Sequence, residues 1–409
     1  MLAEFAYQTE RDLTAWIVRH FRAEKKNISP ALCGYLLQRC GASMTRLDAE
    51  IAKICAYSGA VSCVESVTVE ERLELAGVTP EQMTRDLLGK KLTYGWIEGS
   101  EKVRSLIAGL YQKQTPANIV TTHGCIGANM LVHETLVEPG DHVISVIPTY
   151  QQHYSIPESF GARIETLRLK PENGFLPDLD ELRALVKPDT KLICINNPNN
   201  PTGALMSEQM LKDICEIARS VGAWVLCDEV YRGLTQEDVY SPSVADLYEK
   251  GISTASMSKV FSMAGLRFGW IAAPREIIEA VLHHRDYNTI SVGMLDEYFT
   301  ELALSAKEKI LERNRAIIRE NLEILDKWVQ SEPRASYVKP KAGTTAFVKI
   351  DTKLTSHEFC ERLVKEKGVM FTPGSALHTE GYVRIGYANN KDVLQKGLAL
   401  TSEFLKEID

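Results

Sequence analysis

Between about residues 118 and 275 the chain alternates short apolar, β-branched runs with stretches whose apolar residues recur at helical spacing. The run from Ile119 reads as a strand, a tight turn at Gly124 and then a helix to about Leu136. Further strands are predicted at His142–Ile147, Arg163–Arg168, 191–195 and Trp224–Asp228, and helices over 180–186 and 207–220. In the second of these helices Met210, Leu211, Ile214 and Ala218 share one face, as in a helix that covers a core. Strands separated by helices predict an α/β fold, a mostly parallel sheet covered by helices. Ligands of such sheets bind beyond the carboxyl ends of the strands, where Tyr150, Asn200 and Asp228 all fall.

After about Asp296 the period lengthens into one helix over roughly 305–330, with Ile310, Ile317, Ile324 and Trp328 recurring on one face. The run Gly343–Ile350, a helix near 355–366 and a strand around Arg384 then complete a smaller α+β unit. The expected division is an atypical helical segment over 1–60, a large unit over 61–300 and a small one over 301–409. Within the first segment, Leu13–Ile17, Ile28–Leu37 and Met44–Ile54 read as short helical stretches, and no motif decides between an arm and a contact element.

Composition narrows the partners. With 409 residues, 44% hydrophobic and 25% charged, the chain can bury a large core. A net charge of −7 argues against nucleic acid or a membrane surface as the main partner. No apolar run is long enough to span a bilayer and the start has no signal-peptide plan, so a cytoplasmic location is expected. The nine cysteines are scattered without a CxxC pair and read as reduced thiols. No His/Cys grouping has zinc-ligand spacing, so no metal is expected.

The most specific chemistry lies between Ser256 and Trp270, where Ser256, Ser258, Lys259 and Arg267 share one short run. A nucleophilic lysine needs a lowered pKa, and a nearby arginine with an apolar flank is expected to supply it. The hydroxyls and guanidinium suit a phosphate dianion. A lysine amine beside phosphate ligands points to a phosphorylated carbonyl cofactor, pyridoxal 5'-phosphate, held as a Schiff base. Other runs accompany it in order. Asn196–Gly203, rich in Asn and Pro, follows an apolar strand, Asp228 ends another, and Tyr231 stands three residues on. Gly124, Cys125 and Ile126 open a helix whose free N–H groups form an anion site. Tyr150 follows the strand ending at Ile147.

Together these runs resemble the class I/II aminotransferases, the fold-type I pyridoxal-phosphate enzymes of which aspartate aminotransferase is one, over roughly 62–409. The resemblance implies that Lys259 carries the cofactor and acts as general base, and that Asp228 pairs with the protonated pyridine nitrogen. It implies that Asn200 and Tyr231 reach the phenolic oxygen and that Tyr150 stacks on the ring. The phosphate falls to Gly124, Cys125, Ile126, Ser256, Ser258 and Arg267. Tyr94 resembles the tyrosine that reaches the phosphate of the neighbouring subunit's cofactor, which implies a homodimer. Arg384 resembles the arginine that grips the substrate's α-carboxylate, with a planar fork that matches it bidentately. Ping-pong transamination between an L-amino acid and a 2-oxo acid is the implied activity.

The same residues serve a lyase acting by β-elimination or an amino-acid cyclase. A regulator that senses pyridoxal phosphate would need a winged helix ahead of the domain, and the first sixty residues are short and lack a basic recognition helix. No second cation is anchored by motif to the far end of a dicarboxylate. Arg285 offers either a contact for the substrate's side chain or, on the simpler reading, a solvated helix charge; Gln151, Gln152 and His153 either line the pocket or, on the simpler reading, form a loop and helix start; and Ser58–Ala60 is the candidate for the family's N-terminal glycine loop.

Overall fold

The structure, a computed structural model, describes residues 10–23, 28–40, 47 and 63–408. Its main sheet has seven strands: β1 (Ile119–Thr122), β2 (His142–Ile147), β3 (Arg163–Arg168), β4 (Thr190–Asn196), β5 (Trp224–Asp228), β6 (Gly251–Ser256) and β7 (Gly269–Ala272). Their spatial order is β1-β7-β6-β5-β4-β2-β3. All pairs from β3 across to β6 are parallel, while β7 runs antiparallel to both its neighbours. Every residue of β2 and of β6 is buried, as expected of strands covered on both faces.

Alternate residues of each strand enter different cores. Ile144, Ile193, Val225 and Cys227 pack on one side with Leu211, Ile214 and Ala218 of the helix Glu208–Val221. Val143, Leu192, Cys194 and Leu226 pack on the other, with Leu131 and Val132 of the helix Gly124–Leu136 and Ile277 and Ile278 of the helix Arg275–Arg285. Full burial of each such side chain contributes about 1.5–3 kcal/mol. The helix Glu208–Val221 starts where Ser207 accepts from the Met210 amide and stops at Gly222, whose φ of 71° is left-handed.

A second, antiparallel sheet comprises β8 (Ala335–Tyr337), β9 (Thr345–Ile350), β10 (Thr372–Pro373) and β11 (Tyr382–Gly386), in the order β10-β11-β9-β8. The helix Lys307–Ser331 ties the two sheets together. Asn314 Nδ2 donates to the Val260 carbonyl at 2.8 Å, beside Lys259, and Asn321 Nδ2 donates to the Tyr387 carbonyl at 2.8 Å, just beyond β11. Its buried stripe runs through Ile310, Leu311, Ile318, Leu322, Leu325 and Trp328. Ile317 and Ile324, expected at the centre of that stripe, are only partly buried because the contact face is turned by one residue.

The N-terminal helices Glu10–Ala23 and Pro30–Cys40 form a small core of their own from Leu13, Ile17, Phe21, Cys33, Leu36 and Leu47. The expected helical stretch Met44–Ile54, Leu47 apart, and the loop candidate Ser58–Ala60 lie outside the described residues. Among the described residues no helix is long and apolar enough to cross a membrane.

Candidate active site

Adjacent strands of the main sheet end on adjacent chemical groups. Asn196, the last residue of β4, pairs in register with Asp228, the last of β5, and Ser256 ends β6 opposite Gly269. A cleft of about 330 Å³ opens beyond these ends. Its walls include Cys125, Ile126, Tyr150, Asn200, Asp228, Tyr231, Ser256, Ser258, Lys259, Arg267 and Arg384, gathered from positions up to 259 residues apart, Cys125 to Arg384. Gly124 is not in the wall but lies against Arg267. Tyr94 is in neither place: it is 74% exposed, on a surface stretch with Leu88, Leu92, Trp96 and Ile97.

The anion end of the cleft is built by close backbone approach. Gly124 begins its helix at φ 70°, and a Cβ there would stand 2.7 Å from Arg267 Nη2. A Cβ on Gly269 would meet the Gly124 carbonyl carbon at 2.4 Å and the Cys125 nitrogen at 2.7 Å. Only glycine at both positions lets strand β7, the helix start and the guanidinium converge. Arg267, itself left-handed at φ 50°, is steadied by donating to the Ala264 carbonyl at 2.9 Å. Cys125, Ile126, Arg267 and the buried Ser256 and Ser258 thus line one cleft, a donor set of the kind that suits a dianion.

Asp228 is 3% exposed. Burial pushes its carboxyl up, but His153 at 3.6 Å, the Asn129 amide at 3.0 Å and the Val230 N–H at 3.0 Å outweigh this, and the group lies below its ordinary value. Among the described residues no lysine or arginine forms an ion pair with it. Asn129 is fixed in turn by accepting from Thr254 Oγ1 at 2.6 Å. Behind His153, His133 and Cys194 complete a buried group whose ligand atoms all lie within 4.8 Å of one another. Burial lowers His133 to about 3, so its ring is neutral. The sequence shows no metal-ligand spacing here because the three residues come from two helices and a strand.

Lys259 departs from expectation. Burial lowers its amine, but the charges of Tyr231 and Cys63 raise it, and the net shift is upward. Arg384 opposes that rise, and the expected repulsion from Arg267 is not among the causes. Nζ donates to Cys63 Sγ at 3.2 Å, a contact with a residue that no motif singled out. On the opposite wall, the Arg384 guanidinium donates to Asn200 Oδ1 at 3.2 Å and Thr372 Oγ1 at 3.1 Å, and burial lowers its pKa. The Asn200 amide is pinned by donating to Asn196 Oδ1 at 2.6 Å, so the two asparagines of the Asn/Pro loop hold each other at the cleft wall.

Arg285 is not a solvated charge: it is fully buried, bonded to the Ile97 carbonyl, with Nε and Nη2 lacking partners among the described residues. Burial lowers it to about 10, against the opposing pull of the neighbouring Asp286 charge. Amphipathic periodicity could not reveal this, because the carbonyl that Arg285 meets, that of Ile97, lies 188 residues earlier. His153, read as a helix start, opens the helix Gln152–Ser159 but turns inward to Asp228.

In comparison with known proteins, the family described as aminotransferase class I and II matches residues 79–399. Capreomycidine synthase of Streptomyces vinaceus is 29% identical over 334 residues, covering 81% of this chain and 86% of that protein. Aspartate aminotransferase of Pyrococcus horikoshii is 30% identical over 332 residues, covering 77% and 85%. A crystal structure of a PLP-dependent aminotransferase from Streptococcus suis superposes with a TM-score of 0.83 at 44% identity, over 88% of this chain and 97% of that one.

Proposed function

Because the chain belongs to the class I and II aminotransferases and so depends on pyridoxal phosphate, we propose that it is a transaminase moving an amino group between an L-amino acid and a 2-oxo acid by a ping-pong route. The observation that carries this reading is Asp228: a buried carboxylate at the cleft wall, kept ionised without a lysine or arginine partner among the described residues, suits the counter-charge for a cationic ring nitrogen. The glycine-lined cradle at Gly124 and Gly269 fits a phosphate at the other end of the same cleft. When bound, the cofactor supplies an electron sink for negative charge developing at the substrate's α-carbon.

Each residue then has one task. Lys259 Nζ would hold the cofactor and serve as the base that takes and returns the α-proton. Asp228 would keep the ring nitrogen protonated, with His153 and Asn129 holding Asp228 in its charged form. Tyr231 and Asn200 would serve the phenolic oxygen and Tyr150 the ring. The amides of Gly124, Cys125 and Ile126 would hold the phosphate together with Ser256, Ser258 and Arg267, and with the partner subunit's Tyr94. Arg384, already oriented by Asn200 and Thr372, takes the substrate's α-carboxylate and so aims the α-hydrogen at Lys259. The exposed apolar stretch around Tyr94 supports a homodimer with shared sites. We read 61–300 as the cofactor unit and 301–409 as the unit that brings the carboxylate clamp.

A second reading, elimination or ring closure after the same proton abstraction, draws support from the relative named capreomycidine synthase. One experiment separates the two. Purified protein loaded with pyridoxal phosphate is followed by visible absorption while amino acids are added singly, and products are analysed. Conversion to the amino form of the cofactor with release of a 2-oxo acid supports transamination. Ammonia release or a cyclised product without that conversion supports the second reading, and no absorption change on adding pyridoxal phosphate would overturn both.

A further inference from the structure

The amine assigned above to the cofactor touches a second nucleophile. Cys63 Sγ lies 3.2 Å from Lys259 Nζ, although 196 positions separate them in the chain. Cys33, Cys125, Cys194, Cys215, Cys227 and Cys360 are also free and buried, but burial pushes each of their thiols up, the condition of an inert structural cysteine. What sets Cys63 apart is its neighbour: it is the described cysteine whose sulfur accepts from a lysine amine, and that amine lines an open cleft.

We propose that Cys63 and Lys259 form a peroxide-responsive modification site, in which oxidation joins Sγ to Nζ through a sulfur–nitrogen bond. The oxidant is a hydroperoxide small enough to enter the cleft. In the first step the Cys63 thiolate, paired with the Lys259 ammonium, attacks one peroxide oxygen; an S–O bond forms, the O–O bond breaks, and the departing hydroxide takes a proton from that ammonium, leaving as water and uncharging the amine. Sulfur is oxidised to the sulfenic level and the peroxide is reduced. In the second step the uncharged Lys259 amine attacks sulfur; the S–N bond forms, the S–O bond breaks, and a second water leaves. The protein loses two hydrogens in total, and two molecules of a small thiol reverse the change, restoring both side chains and yielding a disulfide.

The consequence rests on the cofactor reading of Lys259. A nitrogen bonded to sulfur cannot hold a carbonyl cofactor, so the link blocks loading; a nitrogen that already holds the cofactor cannot attack sulfur, so loading protects the site.

The test uses the full chain with and without pyridoxal phosphate, treated with hydrogen peroxide and analysed by intact mass and peptide mapping. In the cofactor-free protein the expected product is a cross-linked pair of peptides bearing Cys63 and Lys259, about 2 Da lighter than the sum of the two. Dithiothreitol reverses it, preloading with pyridoxal phosphate suppresses it at least tenfold, and neither Cys63→Ser nor Lys259→Ala forms it. Oxidation of Cys63 to sulfinic acid at the same rate in wild type and Lys259→Ala, with no cross-link, overturns the proposal. Uptake of the cofactor by untreated protein, read by absorption, is scored separately. A cross-link without uptake would sink the cofactor reading alone; uptake without a cross-link would sink this inference alone.

Discussion

Two neutral donors, Asn129 and Val230, and one imidazole keep Asp228 ionised at a depth where a lone carboxyl would hold its proton. Its folded value lies below the ordinary one, so the stability it contributes is present above the ordinary carboxylate range and is lost as pH falls through the folded value. Removing His153 takes away the largest of the influences that hold the group down. His153→Ala is therefore expected to move the acidic limb of the kcat/KM profile to higher pH while leaving the plateau near neutrality much less changed; an unmoved limb would show that His153 does not tune Asp228. Asp228→Asn, which removes the charge and keeps the shape, should lower kcat by roughly 10²–10⁴-fold, the range lost with a proton-handling group. Steady-state kinetics on the loaded enzyme decide that. Arg384→Lys keeps a charge but loses the planar fork, and should cost kcat/KM roughly 10²-fold, the worth of two charge-assisted hydrogen bonds, chiefly through KM.

At the scale of elements, the sequence disclosed what depends on local period and concealed what depends on distant meeting. Buried parallel strands leave continuous apolar runs, so β2 and β5 fell at the expected residues; β3, at the sheet edge with Leu167 alone buried, also fell at its expected residues. The cleft residues were legible because strand ends and the glycine turn carry them in short runs. Asn129 and His133 were hidden, one turn apart on the helix Gly124–Leu136, where they resemble ordinary positions of a helix buried nearly all round. Cys63 and Arg285 were hidden for the same reason: each is defined by what packs against it from far along the chain. The close packing of Gly269 on the helix start gives an element-scale prediction. Gly269→Ala forces β7 away from the amides of Gly124 and Cys125, and should weaken pyridoxal phosphate binding at least tenfold in a fluorescence titration. By contrast, Ser207→Ala removes a helix cap far from the cleft and should cost about 1 kcal/mol of stability in denaturant unfolding, with cofactor affinity unchanged.

For the whole molecule, five large apolar side chains, Leu88, Leu92, Tyr94, Trp96 and Ile97, stand exposed within ten consecutive positions, the kind of surface a partner subunit covers. If Tyr94 serves the partner's site, subunits carrying Tyr94→Ala and subunits carrying Lys259→Ala complement each other, since a mixed dimer has one site with both native residues. Equal mixing and exchange should restore about a quarter of wild-type activity from two inactive parents, as a two-fold assembly requires. Activity that stays at parental levels, with mixed dimers present by native mass spectrometry, would place Tyr94 outside the shared site.

The helix Lys307–Ser331 reaches the loop of Lys259 through Asn314 and the end of the Arg384 strand through Asn321. Seven residues, two helical turns, separate those contacts, which sets a gauge length of about 10 Å along one rigid rod. The spacing between the Lys259 amine and the Arg384 guanidinium is thus metered by residue count rather than by side-chain identity. Substitutions on the solvent side of 315–320 leave the gauge intact, whereas adding or deleting a single residue there turns one anchor about 100° away from the other and detunes the reach between the two groups.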